Sequence, residues 1–335
     1  MLRIAVLGCG RIGRMHAENV AAHPLTCLAG VYDIHRPSAE AVARRLGGQL
    51  YESADAVFAS EGVDAVLIAS STDTHAGLIE AAVAAGKPAL CEKPIDLDLA
   101  RVNRCAEAIL GRDVPVMLGF VRRFDPGHRA VREAVRAGEI GDLYQVAITS
   151  RDPSPPPASY AEVSGGIFRD MTIHDFDMAR FVLGEEPVTV YAVGSRLIDP
   201  PLMARLGDHD VVTVVLTTAL GKQCLITNSR QAPYGYDQRV EALGSLGMAV
   251  SENRHRHGAR LSTGTFTDRA APYLDFFIER YAQAFMAEIG AFAEAVSSGR
   301  APEVGFEDGR RALLLAEAAL RSVAQGRAVN LSEIG

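Results

Sequence analysis

Three clusters in this sequence have residue types and spacings that could carry out chemistry. The first is the glycine-rich run Gly8-Cys9-Gly10-Arg11-Ile12-Gly13, the second is Cys91-Glu92-Lys93-Pro94, and the third spans residues 170–177. A glycine-rich turn can hold phosphates on its backbone N–H groups. A lysine can polarise an oxygen atom, and a histidine between carboxylates can move a proton.

The glycine-rich run matches the pattern G-x-G-x-x-G and lies between a predicted strand and a predicted helix. Gly8 permits the tight turn, Gly10 lets the backbone approach a pyrophosphate, and Gly13 lets helix and strand pack closely. The helix that starts with Arg11 and Ile12 presents free N–H groups and a partial positive charge to the phosphates. The sequence therefore predicts a dinucleotide cofactor at this turn.

A carboxylate that could select the cofactor follows the second predicted strand. Asp33 lies 20 residues after Gly13, where a carboxylate accepts hydrogen bonds from the adenosine ribose and repels a 2′-phosphate. This favours NAD over NADP, although Arg36 weakens the preference because an arginine can bind that phosphate. The alternative interpretation of Asp33 is a solvated residue at a strand end, which the complete glycine pattern makes the weaker one.

Another loop, residues 69–75, leaves the carboxyl end of a predicted strand, which is where open α/β sheets bind ligands. Its polar side chains are candidate cofactor contacts. Thr72 or Asp73 could also serve as the N-cap of the helix that follows, and the two roles are compatible. The candidate contacts in this loop are Ser70, Ser71, Thr72 and His75.

The second cluster lies at the same predicted edge of the sheet. Glu92 is a candidate cofactor contact, and Pro94 can fix the backbone of Lys93, for example through a cis peptide bond. By itself Lys93 is an ordinary surface residue. Beside a dinucleotide site it becomes a candidate for polarising a hydroxyl or carbonyl oxygen.

In the third cluster, positions 170, 174 and 177 fall within a roughly 60° sector of a helix. His174 between Asp170 and Asp177 would be oriented and kept basic, as suits a general base that takes a hydroxyl proton while hydride leaves the same carbon. A solvated helix face with incidental i,i+4 contacts fits this spacing equally well. Zinc is a third interpretation, but no further His or Cys ligand lies nearby, so we expect no metal.

Two kinds of elements would position these clusters. Up to about residue 120, short apolar runs alternate with helical patterns, which predicts a parallel sheet with helices on both faces. Later runs such as 188–196, 210–218 and 223–229 follow one another with few helices between, which indicates an open, mainly antiparallel sheet. The predicted fold is α/β, with a Rossmann domain over residues 1–120 and a second domain over residues 121–335.

A helical stripe near the end of the chain predicts one continuous helix. Its apolar residues are spaced by 3 and 4 positions, which is the pattern of a core-facing helix. The stripe consists of Ile278, Tyr281, Phe285, Ile289, Phe292 and Val296.

Composition excludes several classes of protein. The 335 residues are 48% hydrophobic and 22% charged with a net charge of −7, which argues against disorder and against a nucleic-acid binder. No apolar run approaches the roughly 18–20 residues of a membrane span, and the N-terminal apolar run is too short for a signal peptide. The five scattered cysteines form no CxxC pair, so we expect reduced thiols and a cytoplasmic protein.

The combination of G-x-G-x-x-G, Glu92-Lys93-Pro94 and Asp170-x-x-x-His174 resembles the glucose–fructose oxidoreductase/inositol dehydrogenase (Gfo/Idh/MocA) family over nearly the whole chain. Residues 119–125, 150–153, 234–239 and 276–281 resemble the inositol 2-dehydrogenase branch of that family. The resemblance implies a Rossmann domain and a second domain that binds substrate and has an open, mainly antiparallel sheet, which commonly mediates tetramers.

The resemblance also implies roles for individual residues. Lys93 matches the lysine that hydrogen-bonds the reacting oxygen, His174 the catalytic acid/base, and Asp170 the carboxylate paired with it. Asp177 matches a polyol-binding position, and Tyr234 competes with Tyr236 for one role. Further substrate contacts in this resemblance are Arg123, Arg151, Tyr236 and Tyr281.

The activity implied is NAD-dependent oxidation of a cyclic polyol, with myo-inositol oxidised to 2-keto-myo-inositol. The first alternative is a dehydrogenase of another inositol isomer, an aldose or a sugar acid. The second is a dinucleotide-binding regulator without catalysis, and such a protein would be expected to lose Lys93 or His174. The expected partner is a small polyol or sugar, with neither nucleic acid nor membrane.

Overall fold

The structure is a computed structural model that describes residues 1–334. The strands are β1 (Leu2–Leu7), β2 (Thr26–Tyr32), β3 (Gln49–Leu50), β4 (Ala65–Ile68), β5 (Ala89–Cys91), β6 (Val116–Leu118), β7 (Leu143–Arg151), β8 (Pro187–Ser195), β9 (Val211–Thr218), β10 (Gln223–Ser229), β11 (Asp237–Gly244), β12 (Met248–Ser251), β13 (Arg260–Leu261), β14 (Arg269–Ala270) and β15 (Val329–Asn330).

The α-helices vary in length from a single turn to twenty residues. They are α1 (Arg11–Ala22), α2 (Arg36–Leu46), α3 (Ala54–Ala59), α4 (Thr72–Ala84), α5 (Leu99–Ile109), α6 (Pro126–Arg136), α7 (Ala158–Ala161), α8 (Gly166–Asp170), α9 (Thr172–Leu183), α10 (Pro200–Leu206), α11 (Phe277–Arg280), α12 (Ala282–Ser298) and α13 (Phe306–Gln325). Short 3-10 helices lie at Val121–Phe124 and Leu331–Glu333.

The chain divides into two compact units. The first comprises residues 1–121 and 284–313, and the second comprises residues 122–283 and 314–334. The sequence prediction assigned everything after residue 120 to the second domain. Residues 284–313 belong instead with the first unit, because Phe285 packs edge-on against His16 and the N–H of Leu118 donates to the carbonyl of Val304.

The first unit is built on a six-stranded parallel sheet in the order β3-β2-β1-β4-β5-β6. All four residues of β4 are buried, as expected for a sheet covered on both faces. The strand order reverses between β1 and β4, and ligands bind at such a switch point, beyond the carboxyl ends of the strands. The predicted Rossmann domain is confirmed.

The second unit contains a seven-stranded sheet in the order β12-β11-β7-β10-β9-β8-β15. Only β7 and β10 pair in parallel, and the other neighbours are antiparallel, so the predicted mainly antiparallel sheet is confirmed. One face is a buried apolar layer. In register across five strands, that layer contains Val190, Leu216, Cys224, Val146 and Ala242.

Two helix predictions differ from the structure. Asp170 does not share a helix with His174, because α8 ends at Asp170 and α9 begins at Thr172. The stripe that starts at Ile278 is interrupted at Tyr281, which separates α11 from α12. In both places long-range side-chain bonds override helical periodicity, since Asp170 and Arg280 each form an ion pair with a residue distant in sequence.

Candidate active site

The glycine-rich turn has the geometry its sequence predicts. Gly8 has a φ of +98°, and a Cβ on Gly8 would lie 2.5 Å from the backbone of Ala69. A Cβ on Gly13 would lie 1.9 Å from the carbonyl oxygen of Gly8, so α1 can approach β1 only because Gly13 has no side chain. A Cβ on Gly10, by contrast, would meet nothing within 4 Å, which leaves room beside the start of α1 for a pyrophosphate.

Asp33 is held at the end of β2 by backbone groups. One carboxylate oxygen accepts the N–H of Cys9 at 2.5 Å and the other accepts the N–H of His35 at 2.7 Å. Arg36 is exposed and pairs with Glu40 at 2.9 Å and with Glu52. Because two carboxylates already neutralise Arg36, the arrangement favours a cofactor without a 2′-phosphate.

The loop after β4 is tied to the loop after β5 by a buried histidine. Nδ1 of His75 lies 2.8 Å from the carbonyl oxygen of Pro94, and Nε2 lies 3.2 Å from that of Ser70. Ser71 occupies the N-cap position of α4, and Thr72 is its first residue. The buried side chain of His75 therefore holds the loop after β4 and the loop after β5 together, while Ser70, Ser71 and Thr72 lie at the edge of the sheet.

Lys93 follows β5 and is joined to Pro94 by a cis peptide bond. The preceding residue, Glu92, accepts the N–H of Lys93 at 3.3 Å, and its other oxygen lies 2.7 Å from Nε2 of His16. Burial raises the pKa of Glu92, but the hydrogen bond to His16 and the neighbouring positive charges outweigh burial, so this pKa lies below its usual value. The backbone of Lys93 is thus anchored through Glu92 to the helix that follows the glycine-rich turn.

In the second unit, two predicted substrate residues are bonded to each other. Arg123 donates to both carboxylate oxygens of Asp177, at 2.8 Å and 2.5 Å, and both side chains are buried. Arg180 contributes a second positive charge at 3.7 Å from Asp177. Such a bidentate pair fixes the orientation of both groups, so any hydroxyl recognised here would meet a rigid donor–acceptor surface.

Sequence reasoning missed a buried network next to His174. Asp175 accepts hydrogen bonds from Arg122 at 2.6 Å, from Ser150 at 2.6 Å and from Asn228 at 2.8 Å. Burial raises the pKa of Asp175, although Arg122 and these hydrogen bonds oppose the shift. These bonds tie α9, which carries His174, to strands β7 and β10. Arg122 and Ser150 lie in the stretches 119–125 and 150–153 that the family resemblance singled out, whereas Asn228 lies in none of them. Sequence spacing did not indicate that these three residues bind Asp175.

The structure separates Tyr234 from Tyr236. Tyr236 is buried and packs edge-on against Tyr281, with ring centroids 6.2 Å apart. Tyr234 is half exposed and lines an open cleft of about 290 Å³. Its hydroxyl accepts from Arg151 at 2.6 Å and donates to Asp237 at 2.7 Å, so Arg151 lies beside Tyr234.

Asp170 is held by two side chains that the sequence did not indicate. Tyr160 donates to one carboxylate oxygen at 2.8 Å, and Arg230 donates to the other at 2.9 Å. A carboxylate oxygen of Asp152 lies 3.8 Å from Nη1 of the same arginine, and burial raises the pKa of Asp152 to about 6. The motif Ser150-Arg151-Asp152-Pro153 contained a signal for Asp152, but Arg230 gave none.

Over residues 1–334 no group of three or more His, Cys, Asp or Glu residues is arranged to hold a metal ion. None of the helices in this range is both long and apolar enough to cross a membrane.

A parallel sheet with a glycine-rich turn and a ribose-type carboxylate at its switch point defines a dinucleotide-binding protein of the Rossmann class. Comparison with known proteins gives the family. Residues 2–120 match the profile of an oxidoreductase family with an NAD-binding Rossmann fold, and residues 128–250 match the GFO/IDH/MocA C-terminal domain. The chain belongs to the GFO/IDH/MocA family of NAD-dependent oxidoreductases, which confirms the resemblance seen in its motifs.

Similar proteins cover the chain almost completely. An inositol 2-dehydrogenase from Rhizobium meliloti is 48% identical over 331 residues, 99% of each chain. The crystal structure of a myo-inositol dehydrogenase from Corynebacterium glutamicum is 46% identical with a TM-score of 0.95 over 99% of each chain. A scyllo-inositol dehydrogenase from Lactobacillus casei, solved with NAD(H) and scyllo-inositol, is 28% identical with a TM-score of 0.91 over 99% of each chain.

Proposed function

We propose that this protein oxidises myo-inositol to 2-keto-myo-inositol with NAD as the hydride acceptor. The observation that carries the proposal is the near-complete match, at almost half identity, to an inositol 2-dehydrogenase. The polar character of the second unit supports it. A cyclic polyol offers only hydroxyl groups, and a site that recognises them needs fixed donors and acceptors such as the Arg123–Asp177 pair.

The catalytic roles follow from the chemistry of each side chain. His174 takes the hydroxyl proton of the substrate, and Asp170, fixed by Tyr160 and Arg230, supports the positive charge that His174 then carries. Lys93 donates a hydrogen bond to the reacting oxygen and stabilises the negative charge that develops there. NAD, when bound, accepts the hydride at C4 of the nicotinamide; a ketone, NADH and one proton are the products.

The other residues bind and orient. We propose that Asp177, Arg123 and Tyr236 contact the polyol, with Tyr281 behind Tyr236 and Arg151 at the rim. For the cofactor, the proposed contacts are Gly8, Gly10, Arg11, Ile12, Gly13, Asp33, Ser70, Ser71, Thr72 and Glu92, with His75 acting through the loops it joins. Arg36 would have to leave Glu40 and Glu52 before it could bind a 2′-phosphate, so NAD is the expected cofactor.

The deciding experiment is an initial-rate measurement at 340 nm with NAD or NADP and a panel of myo-inositol, scyllo-inositol, D-chiro-inositol and glucose. We expect NAD with myo-inositol to give the largest kcat/KM. A larger kcat/KM with scyllo-inositol or with a sugar would change the proposed substrate, but it would not affect the assignment to the family. Tight NAD binding without turnover of any compound would support a regulator instead.

We also propose a homo-oligomer, with a tetramer as the expected state. The face of the seven-stranded sheet opposite its buried layer carries the in-register apolar row Tyr191, Val215 and Leu225, and Tyr191 is 42% exposed. Apolar rows of this kind are typical of interfaces between subunits. Size-exclusion chromatography coupled to light scattering tests this proposal. Tyr191→Glu should have a lower mass than the unmodified protein, whereas a monomeric mass for the unmodified protein would refute the proposal.

We propose a cytoplasmic location. All five cysteines are free thiols, and four of them are buried, as expected for a reducing compartment. Fractionation of cells that express the protein tests this proposal, and recovery in an extracytoplasmic fraction would contradict it.

A further inference from the structure

Arg230 is the shared partner of two carboxylates in the second unit. It lies directly after β10 and is buried, with Nη1 at 2.9 Å from Asp170 and 3.8 Å from Asp152. Its own backbone is fixed, because its N–H donates to the carbonyl of Asp210 at 2.8 Å. The guanidinium therefore occupies a defined position, and Asp170 cannot rotate away from it without losing a charge-assisted hydrogen bond.

The second oxygen of Asp170 is also held. Tyr160 donates to it at 2.8 Å, so the two oxygens of this carboxylate are bound by side chains from two different elements. Because a carboxylate bound at both oxygens has a single preferred orientation, the direction of its remaining lone pairs is set by Arg230 and Tyr160 together. A fixed orientation is what the proposed role of Asp170 in assisting His174 requires.

The charges around Arg230 show why a cation is needed. Asp170 and Asp152 face it directly, Asp208 adds a third negative charge, and each raises the pKa of the Arg230 guanidinium. Burial, together with repulsion from Asp170, raises the pKa of Asp152, while Arg230 and Arg122 lower it. Without a cation between them, two facing carboxylates that are mostly removed from water repel each other, which favours protonation of one of them.

We propose that Arg230 is a positioning residue for the oxidation, which orients Asp170 and places a positive charge beside it while binding Asp152 as a second carboxylate. The inference rests on the proposed role of Asp170 beside His174. In this proposal Arg230 contacts neither substrate nor cofactor. Arg230 affects the reaction only through Asp170, so kinetic measurements can distinguish this role from a purely structural one.

The test compares Arg230→Gln and Arg230→Lys, with Arg205→Gln as the matched control. Arg205 is an exposed arginine of the same unit that pairs with Glu162. For each variant, kcat, KM and the pH profile of kcat/KM are measured with myo-inositol and NAD, together with the Kd of NADH from its fluorescence.

We expect Arg230→Gln to lower kcat about tenfold or more and to move the acidic limb of kcat/KM to higher pH, because loss of a positive charge makes neighbouring groups hold their protons longer. Arg230→Lys keeps the charge, so its acidic limb should stay near the original pH while kcat remains reduced. The Kd of NADH should not change. An unshifted limb and a normal kcat in Arg230→Gln would overturn the proposal.

Asp170→Asn, alone and combined with Arg230→Gln, separates this inference from the proposed function. If Arg230 acts through Asp170, the double variant should be no slower than Asp170→Asn, and additive losses would refute the inference. A normal kcat in Asp170→Asn would refute the proposed role of Asp170 itself.

If Arg230→Gln fails to fold, Asp152→Asn provides the electrostatic test. Removing one of the two facing carboxylates should move the acidic limb to lower pH, and a limb that stays in place would count against the proposal.

Discussion

The candidate ligand sites of the two units are built from different parts of the chain. In the first unit the candidate cofactor site consists of the glycine-rich turn and loops at one edge of a parallel sheet, and much of it is backbone. In the second unit the candidate polyol site consists of buried charged side chains, such as the Arg122–Asp175 and Arg123–Asp177 pairs, whose members are more than 50 residues apart.

The difference reflects what each ligand offers. A pyrophosphate is recognised by N–H groups and a helix dipole, which any sequence with correctly spaced glycines provides. An uncharged ring of hydroxyls needs side-chain donors and acceptors, and buried charges stay rigid only when each has a partner. Substitutions in both units can break or sharpen this contrast between a backbone site and a side-chain site.

The largest expected effect on turnover comes from the proposed catalytic residues, one in each unit. Lys93→Ala and His174→Ala should each lower kcat by about 100-fold or more, because each removes a charge-stabilising or proton-transferring group. Both variants should bind NADH with unchanged affinity, measured by its fluorescence. His257→Ala, an exposed histidine, is the control. Near-normal turnover in either variant would contradict its assigned role.

The backbone character of the first site is tested by two glycines in the same turn. Gly13→Ala should destabilise the protein by about 1–3 kcal/mol or more, because its Cβ would overlap the Gly8 carbonyl. The methyl group added by Gly10→Ala would enter free space, so the free energy of unfolding should change by less than about 0.5 kcal/mol.

Gly10→Ala should nevertheless weaken NADH binding at least about tenfold, since the added methyl group would fill the space proposed for the pyrophosphate. Thermal unfolding and fluorescence titration give the two quantities. Equal NADH affinity in Gly10→Ala and the unmodified protein would show that the pyrophosphate does not bind against this turn.

The side-chain character of the second site is tested by the cost of breaking its ion pairs. Arg122→Ala leaves Asp175 buried without its cation and should cost about 3–5 kcal/mol of unfolding free energy. Arg101→Ala breaks a more exposed pair with Glu80 in the first unit and should cost about 1 kcal/mol or less. Urea unfolding measures both, and similar losses would remove the contrast between the units.

The smallest effect concerns Asp152. Its pKa is raised from 3.8 to about 6 in the folded protein, so between these values the folded state binds more protons than the unfolded state. Stability should therefore fall as the pH rises from about 4 to about 6, and Asp152→Asn should lack this component. The Tm difference between the two proteins across that pH range measures it, with Asp113→Asn in an exposed loop as the control.

Several elements were predictable because their determinants are local. The strand–helix alternation predicted the parallel sheet, and the glycine spacing located the turn between β1 and α1. The prediction that Asp170 and His174 lie on one helix was wrong, because Arg230 and Tyr160 hold Asp170 from elsewhere in the chain. The stripe from Ile278 was interrupted for a related reason, since Arg280 is bonded to Asp125.

By itself, then, the sequence determined the class of fold and the glycine-rich turn, because apolar periodicity and glycine spacing act over a few residues. It also made Lys93 and His174 candidate reactive groups, whose roles stay a prediction. Only the tertiary structure decided which carboxylate each buried arginine binds, that Tyr236 lies inside and Tyr234 at the surface, and that residues 284–313 belong with the first unit. Those outcomes depend on burial. A charge removed from water must find its partner wherever the fold places one, and sequence separation carries no information about that distance.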